Sequence, residues 1–95
     1  MTGSMPARFQ ASPDALATRV GDEIVLVHTR TDQIYVLNTT GARVWELLCA
    51  DCDRAEIERR MVEEFEVTPA ELTGQVGELI GSLVNSRLIT VLGDG

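Results

Sequence analysis

The chain has 95 residues and a net charge of −7, which is room for one small domain with one modest core. Its acidity excludes the basic footprint that nucleic-acid phosphates and anionic lipid surfaces require, so neither is expected as a partner. No run approaches the ~18 apolar residues of a spanning helix, and the first fifteen residues, MTGSMPARFQASPDA, hold no apolar segment of the secretory kind. A cytoplasmic location is the default that follows, and there Cys49 and Cys52 are expected to be reduced thiols.

In chain order, residues 1–14 are polar and interrupted by Pro6 and Pro13, and they are expected to form a flexible tail ahead of a folded domain over residues 15–92. Leu16, Thr18 and Val20 alternate with smaller or polar residues, a weak strand that ends at the Gly21-Asp22 turn signal. Residues 24–29 (IVLVHT) are apolar on both faces, with Ile24, Leu26 and His28 on one and Val25 and Val27 on the other. That pattern fits a central strand. After Arg30-Thr31-Asp32, residues 33–37 (QIYVL) make a third strand, and the short connections predict an antiparallel meander.

Asn38-Thr39-Thr40 supplies side-chain oxygens that can cap a new helix. Val44, Leu47 and Leu48 then recur at helical spacing, predicting a first helix over residues 39–50. Asp53 with Glu56 three residues on marks the start of a second helix, whose apolar stripe is Ile57, Met61, Val62 and Phe65. Residues 51–66 otherwise carry seven acids and three arginines, a solvated face. Thr68-Pro69-Ala70-Glu71 opens a third helix with a capping residue, a proline at the first helical position and a glutamate that can reach back. Leu72, Val76, Leu79, Ile80, Leu83 and Val84 fill an arc of roughly 140° on it, broader than a surface helix needs. Gly74, Gly77 and Gly81 border that arc. Each weakens a helix interior by roughly 1 kcal/mol relative to Ala, and the close approach of another backbone would explain them. Residues 88–92 (LITVL) close the chain as a strand, and Gly93-Asp94-Gly95 is expected to fray.

Little here supports catalysis. Cys49-x-x-Cys52 falls at the end of a helix and in an acidic turn, where neighbouring carboxylates raise a thiol pKa, and not at a helix N-terminus that would lower it. A zinc site needs two further ligands, and the single histidine, His28, lies mid-strand. No Gly-rich phosphate loop, HExxH, GxSxG or paired carboxylate is present. The expectation is no enzyme, no metal and no cofactor. The fold class is α+β, a three-stranded antiparallel sheet followed by three helices, an order shared with winged helix-turn-helix domains. The third helix, however, carries Glu71 and Glu78 and no basic residue, so a DNA-binding regulator is the weaker alternative. An exposed third-strand edge that accepts an extended peptide, with the broad arc of the third helix as the opposite wall, uses the features left over.

The run YVLNTTGARVWELL, the acidic helix after it, FEVTPAEL, and the closing NSRLI resemble the PqqD-like family of leader-recognition domains, which serve ribosomally made, post-translationally modified peptides. The pattern Y-x-L-N-x-T-G-x-x-x-W-x-L-L is carried by Tyr35, Leu37, Asn38, Thr40, Gly41, Trp45, Leu47 and Leu48, and the similarity extends over about residues 20–92. Such a resemblance implies three antiparallel strands on three helices, with a precursor's leader segment bound as an added strand between the third strand and the third helix. Carried onto this chain, the strand wall is Gln33, Ile34, Tyr35, Val36 and Leu37, and the helix wall draws on Leu72, Gln75, Val76, Leu79, Ile80 and Leu83. Asn38, Thr40, Gly41 and Trp45 read as corner, cap and core. A stand-alone chain of this size is most similar to the leader-binding subunit of lasso-peptide systems. The implied partners there are a leader-cleaving cysteine protease and an ATP-dependent ring-forming enzyme. The sibling alternative is a peptide chaperone for a radical enzyme in pyrroloquinoline quinone biosynthesis. The Cys pair is no part of the family's pattern.

Overall fold

Alternating apolar residues and tight turns build the first layer. In the computed structural model, which describes residues 8–92, β2 (Ala15–Val20), β3 (Glu23–His28) and β4 (Ile34–Leu37) form an antiparallel meander in the order β2-β3-β4. Gly21 takes φ +64 in the first turn and Asp32 φ 60 in the second, the left-handed region that Gly and Asp tolerate best. Ile24, Leu26 and His28 of β3 turn inward and are buried. Leu16, Val20, Ile34 and Val36 stand exposed on the outer face. His28 accepts a hydrogen bond at Nδ1 from the Arg30 amide, 3.2 Å away, and acts as a packed strand residue that steadies the turn.

Three capped helices follow. Asn38 Oδ1 accepts from the Gly41 amide at 2.9 Å and starts α1 (Thr39–Cys49). Asp53 Oδ1 accepts from the Glu56 amide at 2.8 Å and starts α2 (Arg54–Glu64). Thr68 Oγ1 accepts from the Glu71 amide at 3.2 Å and starts α3 (Pro69–Asn85). Side chains from both layers meet in one core, in which Leu26, Leu48, Ile57, Met61, Leu72, Leu83 and Leu88 are fully buried.

The ends of the chain correct two expectations. Arg8–Ala11 is not a flexible tail. It forms β1, paired antiparallel with β5 (Ile89–Leu92) through Phe9↔Val91 and Ala11↔Ile89. Phe9 is only 4% exposed, and burying its ring holds the segment down, since a buried Phe side chain stabilises by roughly 1.5–3 kcal/mol. The architecture is therefore α+β with three helices and two antiparallel sheets, and β1 and β5 stand outside a simple order of sheet then helices. Residues 1–7 of the expected tail, and the expected fraying at Gly93-Asp94-Gly95, lie outside the described residues.

The glycines of α3 also differ from expectation. A Cβ at Gly74 or Gly81 would meet nothing within 4 Å, so no backbone packs there. A Cβ at Gly77 would meet the Arg54 guanidinium at 3.0 Å. What this glycine admits is a side chain, which donates to the Thr73 carbonyl at 3.2 Å and ties α2 to α3.

Candidate functional site

An open strand edge and a groove lie side by side. β4 pairs with β3 on one side, and among the described residues it has no partner on the other. The His28 amide donates to the Gln33 carbonyl at 2.9 Å. Backbone polar groups alternate sides along an antiparallel strand, so Tyr35 and Leu37 bond inward to β3, while Ile34 and Val36 turn their N–H and C=O groups to the free edge. Their side chains, 65% and 62% exposed, stand on the outer face. Unpaired edge groups beside exposed apolar residues are a template for another strand. Arg8–Ala11 does not cover them, because it pairs with β5.

Between β4 and α3 runs a groove of about 470 Å³, lined by Val36, Leu37, Asn38, Thr40, Gly41, Val44, Leu72, Gln75, Val76, Glu78, Leu79 and Ser82. Its floor is apolar: Leu37, Val44, Leu72 and Val76 are buried and Leu79 is half-buried. Gln75, Glu78 and Ser82 form an exposed polar lip along α3. Beyond the groove, the Tyr35 hydroxyl and Ser86 Oγ lie 2.5 Å apart, pinning β4 to the C-terminal end of α3. A guest strand on β4 would direct every second side chain into this groove, because side chains alternate across a strand.

Of the strand residues singled out in the sequence, Val36 and Leu37 line the groove; Gln33, Ile34 and Tyr35 do not. Of the helix residues, Leu72, Gln75, Val76 and Leu79 line it. Ile80 and Leu83 point instead into the core, at 6% and 0% exposure. Asn38, Thr40 and Gly41, read as corner and cap, line the groove as well, along with Val44, Glu78 and Ser82. The signal for the first three was available, since the cap of α1 must sit where β4 ends. Glu78 and Ser82 are missed by any search for an apolar wall. Trp45 is buried in the core.

The thiols lie elsewhere. Cys52 is buried, while Cys49 is exposed on one side and packed on the other. Desolvation by the atoms packed against Cys49 pushes its thiol up, away from the thiolate form. Among the described residues no group of three or more His, Cys, Asp or Glu is placed to hold a metal ion, and no helix is long and apolar enough to cross a membrane.

Residues 23–89 match the family model described as coenzyme PQQ synthesis protein D (PqqD). Among solved structures, TbiB1 in complex with the TbiA(beta) leader peptide is 25% identical and superposes with a TM-score of 0.82 over 90% of this chain and 99% of that one. A lasso peptide synthetase B1 complexed with its leader peptide is 20% identical, with a TM-score of 0.80 over 87% of this chain and 98% of that one, a likeness of fold. No curated protein matches the chain.

Proposed function

The chain belongs to the PqqD family, and from that premise we propose that it binds the leader segment of a ribosomally made precursor peptide and presents it to a separate maturation enzyme. The observation that carries this reading is the edge of β4, unpaired among the described residues, lying beside a groove with an apolar floor. An extended segment adds a strand through the free groups of Ile34 and Val36. Alternate side chains then insert over Leu37, Val76 and Leu79, so main-chain bonds supply affinity and the groove supplies selectivity. The protein acts as an accessory binding domain with no catalytic residue of its own, in a single peptide-recognition unit over residues 15–92 to which β1 is added.

The likeness to TbiB1 in its leader-peptide complex favours the lasso-peptide branch. There the loaded domain serves a leader-cleaving cysteine protease and a ring-forming enzyme in the cytoplasm. Calorimetric titration with leader segments of precursor peptides encoded near this gene tests the reading, and one of them is expected to bind with one-to-one stoichiometry. Tight, salt-sensitive binding of random duplex DNA together with indifference to every leader would favour the winged-helix regulator instead.

A further inference from the structure

Glu78 is the one ionisable side chain lining the groove, and it makes neither a hydrogen bond nor an ion pair among the described residues. The carboxylates of α2 behave differently: Glu56, Glu58, Glu63 and Glu64 all face an arginine within 4 Å. On α3 itself, Glu71 is engaged by the Thr68 hydroxyl at 3.1 Å. Glu78 is thus an exposed carboxylate on the lip of a groove with an apolar floor, flanked by the neutral Gln75 and Ser82. On the groove's other wall, Val36, Leu37, Asn38 and Thr40 carry no charge to balance it.

Resting on the peptide-binding reading above, we propose that Glu78 is a specificity determinant that selects leader segments carrying a lysine or arginine beside their apolar anchor. The geometry suits such a side chain. Groove-facing residues of an added strand repeat every ~6.7 Å. Val76, Glu78 and Leu79 span less than ~5 Å along the axis of α3. The step exceeds that span by about 2 Å, so a basic residue two positions from an anchor over Val76 starts just past the stretch, and its long side chain reaches back to Glu78. Its aliphatic stem covers Leu79 while its charged head stays in water at the lip, as long basic side chains do over apolar surface. An acidic residue at that position meets Glu78 directly. The chain's net charge of −7 acts in the same sense at longer range, drawing a cationic segment in and speeding association at low salt.

The probe is a displayed library of random dodecapeptides, panned against the folded protein and against the Glu78→Lys variant. Recovered peptides are expected to alternate apolar residues and to carry Lys or Arg two positions from an anchor. A synthetic copy should lose about two- to five-fold in affinity on Glu78→Gln, the range of an exposed ion pair. It should lose more on Glu78→Lys, where a copy with Glu at the basic position recovers binding. Recovery of the same apolar peptides on both proteins, with no basic preference, overturns the role of Glu78 and leaves the groove reading standing. Peptides that bind a folded Leu79→Glu variant undiminished, or a library that yields no binder, overturn the groove reading and this inference together.

Discussion

α2 and α3 lie side by side on the same core, and they handle their polar surfaces in opposite ways. α2 is laced with ion pairs. Arg54 meets Glu58, Arg59 meets Glu56 and Glu63, and Arg60 meets Glu56; Arg43 of α1 grips Glu64 through two guanidinium nitrogens at 2.7 and 2.9 Å. α3 forms no ion pair among the described residues, carries no basic residue, and leaves Leu79 half-buried over a groove. A helix whose charges are answered from within the domain is finished as a surface. One that keeps an apolar flank and an unanswered carboxylate is, on the proposed function, the side that meets the peptide.

The comparison can be broken at several points. The largest effect is expected at Met61 of α2, which is fully buried. Met61→Ala should destabilise the fold by about 2–5 kcal/mol, read by denaturant unfolding, while the folded fraction binds a leader unchanged. On α3 the balance reverses. Leu79→Glu places a charge where a guest's apolar side chain would cover it, and it should weaken binding by about 3 kcal/mol with little change in unfolding. Leu79 suits this better than Val76, whose near-complete burial would make a glutamate there unfold the domain as well. A smaller change is expected from Val36→Pro. It removes an amide that has no partner among the described residues, so the fold should persist, and calorimetry should show about 1 kcal/mol less binding for the lost main-chain bond.

The smallest effect concerns Arg43 and Glu64. Hydrogen bonding to Arg43 holds the Glu64 carboxyl below its ordinary value of 4.5. A lowered acid pKa contributes stability above the unfolded value, and that contribution is lost as pH falls through the folded one. The pair is partly exposed, so water screens it, and a double-mutant cycle near pH 7 should give about 0.5 kcal/mol. Repeated at strongly acid pH, the cycle should give nothing.

How much of this was legible in the sequence depended on whether the signal was local. Asn38, Asp53 and Thr68 cap the three helices they were expected to start, because a cap is decided by its own backbone and the three residues after it. The central place of β3 followed from apolar residues on both faces. β1 was missed, although Arg8-Phe9-Gln10-Ala11 alternates polar and apolar, because its partner lies some eighty residues away and four residues make a weak pattern. The spacing of the α3 arc predicts one wall, but periodicity alone does not say which part meets the core. Ile80 and Leu83 pack inward while Leu72, Val76 and Leu79 reach the groove. Gly74 and Gly81 face open space, and nothing in the structure explains them.

Strand addition at the free edge of β4 is the central claim, and backbone amide hydrogen exchange reads it directly. With a leader peptide at saturation, the Ile34 and Val36 amides, unpaired among the described residues, are expected to become protected, together with slower exchange along the groove side of α3. Saturating binding that leaves both amides exchanging at their free rates, with protection appearing on another surface, would contradict it.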